Sequence, residues 1–139
     1  MLLASHAHAE IKVGFVTALS GNGASIGIPY SKGIKAAIQH QAEIGGEKIT
    51  VIELDDNADP STSTRNARKL VEENKVDILI GTATAPSTIA MMAVAKELKV
   101  PMIAISPVTV SGGDESDQWG ITIPQSAALL AAVIAERMK

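Results

Sequence analysis

Short apolar runs alternate with stretches of helical periodicity along the chain. The runs predict strands at about Ile11–Leu19, Lys48–Leu54, Val76–Ile80, Pro101–Ile105 and Trp119–Ile123. Within them apolar residues follow one another instead of alternating with polar ones, as in Val76-Asp77-Ile78-Leu79-Ile80. That continuity is the mark of a parallel sheet covered on both faces. Between the runs, apolar positions recur at helical spacing. A first helix is predicted from about Pro29 to Glu43, with Ile34, Ala37, Ile38 and Ala42 on one stripe and a stop at Gly45-Gly46. Asp59-Pro60 opens a second, because Asp accepts from free backbone N–H groups and Pro suits the first helical position; Ala67, Leu70 and Val71 give its buried face. A third starts near Pro86, with Met91, Val94, Ala95 and Leu98 inward. A fourth spans Gln125 to Met138, with Leu130, Val133, Ile134 and Met138 inward. The fold class expected is α/β, a doubly wound and mostly parallel sheet of about five strands with helices on both faces.

Ligands of such sheets sit outside the carboxyl ends of the strands, where the winding reverses. The loops that matter are therefore Ser20–Gly27, Asp55–Asp59, Gly81–Ser87 and Ser106–Gly113. They are rich in small and hydroxyl residues, which suits a grip on a small anion such as a carboxylate by backbone amides and hydroxyls. Gly81-Thr82-Ala83-Thr84-Ala85-Pro86-Ser87-Thr88 leads into the third helix and so offers free N–H groups at the positive end of a helix dipole. Capping of that helix by Thr84 or Ser87 is the plainer reading of the same residues. No histidine or carboxylate stands in that segment to activate a hydroxyl, so no nucleophilic catalysis is expected.

Composition narrows the function classes. The chain has 139 residues, 46% hydrophobic and 19% charged, a globular balance for one domain. A net charge of −3 gives no footprint for nucleic acid. Phe15, Tyr30 and Trp119 are the only aromatic residues, too few for base-stacking platforms. Cysteine is absent. His6 and His8 fall near the start and leave only His40, so neither a metal nor a cofactor is expected. Ala7-His8-Ala9 before Glu10 has the small-x-small form of a signal-peptidase site, and residues 1–9 read as the remnant of a secretory signal.

Two other readings attach to particular residues. Gly21-Asn22-Gly23-Ala24-Ser25-Ile26-Gly27 follows the first strand as a loosened dinucleotide fingerprint would, with Gly21, Gly23 and Gly27 around a pyrophosphate. The acidic partner for a ribose would be Glu53 or Asp55, further on than the usual spacing, and Pro29 sits where helix and strand should pack closely. On this reading the chain is a small flavodoxin-like or nucleotide-binding domain using the Gly21–Gly27 loop. Asp55-Asp56 could hold magnesium as in a receiver domain, but the third strand ends on Gly81-Thr82-Ala83-Thr84 without an Asp to accept a phosphoryl group. The alternative is that one Asp bonds neighbouring amides while the other is solvated.

Ile11-Lys12-Val13-Gly14-Phe15 with Leu19-Ser20-Gly21 and Gly27 resembles the opening of periplasmic solute-binding proteins of the branched-chain amino acid ABC-transporter type. Leu54-Asp55-Asp56-Asn57-Ala58-Asp59-Pro60 with Ala67-Arg68-Lys69-Leu70 is similar to that family's second βα unit. Asp77-Ile78-Leu79-Ile80-Gly81, Ser87-Thr88, Val100-Pro101-Met102-Ile103 and Ile105-Ser106-Pro107 continue the match in the family's order. The resemblance implies a type I periplasmic binding fold, flavodoxin-like in each lobe, with residues 10–139 as the first segment of the N-terminal ligand-binding lobe and the second lobe absent. It implies a receptor and not an enzyme, periplasmic, delivering a small carboxylate-bearing solute to an inner-membrane ABC permease. The ligand-facing positions it implies are Ser20, Ser25 and Ile26 in the first loop, Ala83, Thr84, Ala85 and Pro86 in the third, and Ser106, Pro107, Val108 and Thr109 in the fourth. Ala85 falls where the family often has a ligand-binding serine, Val108 where a backbone amide contributes, Thr109 or Val110 near a ligand-binding threonine, and Ile26 where a tyrosine is frequent. Those replacements make the pocket more apolar and bring aromatic or aliphatic carboxylates into competition with amino acids. A lobe on its own is expected to bind weakly or not at all; a third reading is a free-standing lobe that self-associates through the face its partner lobe would cover.

Overall fold

The computed structural model describes residues 10–108, 118–123 and 127–138. In chain order its elements are β1 (Glu10–Thr17), α1 (Ala24–His40), β2 (Glu43–Ile44), β3 (Glu47–Asp55), α2 (Pro60–Glu72), β4 (Ile78–Gly81), α3 (Ala85–Leu98), β5 (Met102–Ala104), β6 (Gly120–Thr122) and α4 (Ala127–Arg137), with a 3-10 turn over Gly21–Gly23 between β1 and α1. They form one sheet in the order β2-β3-β1-β4-β5-β6. All pairs are parallel except β2 with β3. The chain steps from β1 outward to β3, then back across β1 to β4. Winding therefore reverses beside β1, and the carboxyl ends of β1 and β4 are the switch point.

β1 is the strand that most needs its apolar run, since it has neighbours on both edges and helices on both faces. A side chain at Gly14 would press on Leu70 of α2, whereas the next residue, Phe15, lies with Ile34 and Ile38 of α1. Successive residues of a strand point to opposite faces, so α1 lies on one side of the sheet and α2 on the other. On the α2 side, Val16, Leu70, Leu79, Met91, Val94, Met102 and Ala104 form a closed core with Val108 at its edge. Leu70, Leu79 and Met91 are fully buried, each contributing about 1.5–3 kcal/mol of apolar transfer. Arg68 of α2 reaches Glu97 of α3 at 2.5 Å and Glu72 at 3.6 Å; these exposed pairs add little to that packing.

The α2 start is as the sequence predicts. Asp59 is the cap residue and Pro60 the first helical residue, and Asp59 Oδ2 accepts from the Thr62 amide at 2.7 Å and from the Ser61 and Thr62 hydroxyls at 2.6 Å. The inward positions Ala67, Leu70, Met91, Val94 and Ala95 are buried, with Val71 and Leu98 half-buried.

Several boundaries differ from the sequence reading. The sheet has six strands, not five: Gly45-Gly46 does not end a helix but turns a hairpin between β2 and β3, both glycines having positive φ (60° and 85°), as a tight hairpin turn demands. The first helix accordingly stops at His40, and Ala42, expected on its buried stripe, accepts a ladder bond from Ile49 instead. The helix also begins five residues early, at Ala24, with Pro29 inside it. The preceding 3-10 turn supplies the nucleus, and a proline in the second turn removes only one i→i−4 bond. Ile34 and Ile38 are half-buried as expected, but Ala37 is exposed. In α4 three of the residues expected inward are exposed, Val133 at 52%, Ile134 at 59% and Met138 at 81%; the burial of Leu130 lies outside what the structure describes. Among the described residues no element packs extensively against that helix, so its periodicity has no core to serve. The far side of the sheet is open there too, with Ile121 and Ile123 of the β6 region 65% and 68% exposed.

The Asp59 cap carries a pH dependence. Hydrogen bonds from the Ser61 and Thr62 hydroxyls, and then from the Thr62 amide, lower its pKa from 3.8 to about 2. A depressed carboxyl contributes stability that is present above its unfolded value and lost as pH falls through its folded one. Asp59→Ala is therefore expected to lower the thermal midpoint at pH 7, with the deficit against the wild type shrinking between pH 3.8 and about 2. Asp59→Asn, which caps without charge, should keep most of the pH 7 midpoint; melting curves across that range check both.

Candidate functional site

Three loops converge at the carboxyl ends of β3, β1 and β4, and a carboxylate fixes two of them. Asp55, the last residue of β3, accepts from the Leu19 amide at 2.8 Å, the Ser20 amide at 3.4 Å, the Ser20 hydroxyl at 2.5 Å and the Asn57 amide at 2.8 Å. Burial pushes its pKa up, but the hydrogen bonds from the Ser20 hydroxyl and then from the Asn57, Leu19 and Ser20 amides outweigh it and hold the carboxyl below its ordinary value. Asp56 is not the solvated partner the sequence reading allowed. It is fully buried and accepts from the Ala58 amide at 2.9 Å and the Ser63 hydroxyl at 2.8 Å. Both aspartates are thus used to hold a loop whose Asn57 and Ala58 sit at φ 51° and 58°, a conformation that non-glycine residues adopt only when their surroundings impose it. Among the described residues no group of three or more His, Asp or Glu converges as a metal site would require.

The glycine pattern of the first loop is explained by this packing. Gly21 has φ +70°, and a Cβ there would lie 2.1 Å from Asn57 Oδ1. A Cβ on Gly27 would lie 2.0 Å from the Ala18 carbonyl oxygen, so the first turn of α1 is pressed onto backbone. A Cβ on Gly23 would fall 2.9 Å from Ala58 Cβ and 3.5 Å from Thr84 Cγ2, so all three loops meet within contact distance here. The spacing that suggested a pyrophosphate grip is the spacing needed for helix and loop to approach β1.

The third loop is held from within. Thr88 Oγ1 donates to the Thr84 carbonyl at 2.9 Å and lies 3.3 Å from Thr82 Oγ1, while the Thr82 amide donates to Thr88 Oγ1 at 3.2 Å. The Gly81–Thr82 peptide is cis. Thr84 is the cap residue of α3 by conformation, yet its hydroxyl makes no capping bond, and the Thr84 and Ser87 hydroxyl oxygens are both buried without a partner. Capping by these side chains is therefore not what the structure uses. The Ala85 and Ser87 amides lie in the first helical turn, which has no internal acceptor for them, and Pro86 has no N–H to give. At this point the helix presents unmatched donors, two unpaired hydroxyls and the positive end of its dipole.

Of the residues expected to face ligand, Ser20, Ser25, Ile26 and Pro86 are exposed, and Thr84 and Ala85 are half-buried. Ala83 is buried, so its side chain is part of the support and not of the surface. In the fourth loop Ser106 is 4% and Val108 7% exposed, and Val108 joins the core; Pro107 is exposed. Thr109 and Val110 lie outside the described residues, as do residues 1–9. The Ile105 amide donates to the Gly81 carbonyl at 3.2 Å, which sets the fourth loop beside the third. Asp55 takes the amide-accepting role that the sequence allowed to one aspartate of the pair. One positioning residue is not legible in the sequence. Tyr30 donates its hydroxyl to the Ile105 carbonyl at 3.4 Å; the early start of α1, invisible behind Pro29, is what brings it there.

A model of the periplasmic binding protein family matches residues 10–139. The chain belongs to that family. Periplasmic binding proteins are non-enzymatic, and the family is periplasmic or extracellular. An amino acid binding protein of Pseudomonas aeruginosa is 33% identical over 110 residues, 77% of this chain and 29% of that protein. The crystal structure of an extracellular ligand-binding receptor from Rhodopseudomonas palustris HaA2 superposes with a TM-score of 0.86 at 37% identity, covering 94% of this chain and 36% of that one. A solute binding protein of an ABC transporter from Rhodopseudomonas palustris BisB5, solved with 3,4-dihydroxy benzoic acid, gives 0.74 at 30% identity over 81% of this chain and 31% of its own. The chain therefore spans about a third of the length of the binding proteins it matches.

Gly27→Ala tests the packing account of the glycine loop. It is expected to cost about 1–3 kcal/mol by forcing α1 off the Ala18 carbonyl, read as a lower urea midpoint with an unchanged slope.

Proposed function

We propose that this periplasmic binding protein segment is part of the N-terminal lobe of a solute receptor that delivers a small carboxylate-bearing molecule to an inner-membrane ABC permease. Residues 10–139 form the first segment of that lobe, a second lobe completes the cleft, and residues 1–9 belong to an export signal. The observation that carries the reading is the α3 amino terminus at the sheet's switch point, where the Thr84 hydroxyl has no partner and the Ala85 and Ser87 amides lack internal acceptors. A carboxylate there would meet N–H donors, a hydroxyl and a favourable dipole together.

The candidate contacts are Ser20, Ser25 and Ile26 from the first loop, Thr84, Ala85 and Pro86 from α3, and Pro107 with the Val108 amide and Thr109 from the fourth loop. Ser20 already gives its hydroxyl proton to Asp55, so toward the cleft it offers lone pairs. The two sides of the cleft thus have opposite preferences, an anion at α3 and a donor at Ser20. An amino acid satisfies both, as does a hydroxylated aromatic acid, and the named relatives include an amino acid binding protein and a receptor holding 3,4-dihydroxy benzoic acid. Exposed Ile26 and the Ala85 methyl favour the apolar members of either class.

Calorimetric titration of a two-lobed form with leucine, 3,4-dihydroxybenzoate and benzylamine checks the proposal. The carboxylates are expected to bind and the amine, which lacks one, is not; equal binding of all three would sink it. Thr84→Val should weaken carboxylate binding by roughly 0.5–3 kcal/mol, the range for one hydrogen bond to a neutral or charged acceptor. An unchanged affinity removes Thr84 from the site.

A further inference from the structure

α1 meets the sheet as a wedge. At its amino-terminal end Gly27 lies against the Ala18 carbonyl and Ser31 is buried. Toward its carboxyl end Ala36 and Ala37 are exposed and Ile34 and Ile38 only half-buried. The open end of the wedge leaves a half-open pocket of about 340 Å³ on the opposite side of the sheet from the closed α2–α3 core. Phe15 and Val51 of the sheet and Ile34 and Ile38 of α1 make its walls apolar, Lys35 and Glu53 give it a charged end, and Gln39 adds an uncharged polar group to the rim. Lys35 Nζ lies 2.8 Å from Glu53 Oε2 and donates to Ser31 Oγ at 2.9 Å. Glu53 Oε1 is buried and has no partner.

The apolar walls of the pocket offer water few partners. The volume falls in the range of small-molecule sites, which combine apolar walls with a few placed polar groups. The charge at the polar end is already balanced: a ligand ammonium would face Lys35, and a ligand carboxylate would face Glu53 Oε1. What Glu53 Oε1 lacks is a donor that brings no charge of its own. We propose that this cavity is a second small-molecule site, separate from the strand-end cleft, for a compact, uncharged, apolar ligand carrying one hydroxyl or amide N–H that donates to Glu53.

Methyl NMR of the 139-residue chain titrated with p-cresol, and with toluene as the donor-free control, tests it. Saturable shifts are expected at Ile34, Ile38 and Val51, with toluene binding about tenfold more weakly or worse, as the loss of one bond to a charged acceptor requires. Ile38→Trp, which fills the cavity, should abolish the shifts elsewhere on its walls. Glu53→Leu should leave p-cresol and toluene with similar affinity. Absence of saturable shifts at these residues, equal binding of the two probes by the wild type, or undiminished binding after Ile38→Trp would each overturn the proposal. Because the reporters lie beneath α1 and not at the strand ends, failure here leaves the carboxylate cleft untouched.

Discussion

The Asp55 carboxylate decides what the carboxyl edge of the sheet can be. A central parallel strand delivers its chain to solvent with unmatched backbone donors, and the loop that follows is free unless something accepts from it. Here the neighbouring strand ends in register with β1, at the residue paired with Thr17, and its carboxylate takes the Leu19, Ser20 and Asn57 amides together. With two loops tied to one side chain, Gly21 and Gly23 can be packed against Asn57 and Ala58, and α1 can start directly from the 3-10 turn. The third loop then has a fixed neighbour, and the α3 amino terminus faces a rigid partner across the switch point. Anion recognition by helix amides depends on such rigidity, because donors that must first be ordered contribute less to binding.

The two faces of the sheet are unequal, and the inequality follows from which residues meet across them. α2 and α3 bring Leu70, Met91 and Val94 onto Leu79 and Met102, large apolar groups at matching heights, and the interface closes. α1 brings Gly27 and Ser31 at one end, and Ile34 and Ile38 at the other, against a strand that carries Glu53 in register with Phe15. Small residues draw one end of the helix close, while an ion pair props the other. The result is a helix whose start is set by backbone contact and whose end leaves a half-open pocket against the sheet.

Much of this was legible in the sequence, and the limits have physical causes. The fold class, the parallel order of the main strands, the Asp59-Pro60 helix start and the inward faces of α2 and α3 all rest on local chemistry, apolar runs and cap residues, and are as the sequence predicts. β2 escaped notice because two residues carry no periodicity, and Gly45-Gly46 ends a helix as readily as it turns a hairpin. The start of α1 was misplaced because proline is a strong signal for a first turn and only a moderate penalty in a second. The burial of Asp56 could not be seen, since its partner Ser63 lies a helical turn into α2 and depends on how that helix docks. α4 shows the reverse failure: its periodicity is clear in the sequence, yet a pattern identifies an amphipathic face without supplying what covers it.

The candidate site was legible in kind but not in detail. Hydroxyl-rich loops at strand ends pointed to an anion-binding edge, and the structure brings three of those loops into contact there. It reassigns the residues, however. Ala83 and Val108 support the surface from beneath, Pro86 can offer only apolar contact, and the Thr84 hydroxyl is uncommitted where a capping bond would have consumed it. The start of α3 is tied to its loop by another group: the Thr88 hydroxyl donates to the Thr84 carbonyl and lies beside the Thr82 hydroxyl, while the first-turn amides keep no side-chain cap. A hydroxyl relieved of its structural duty at the positive end of a helix is the kind of group that burial leaves unsatisfied until a ligand arrives. The same reasoning separates the aspartates from the chemistry: Asp55 and Asp56 spend their lone pairs on the fold, and what they give the cleft is shape.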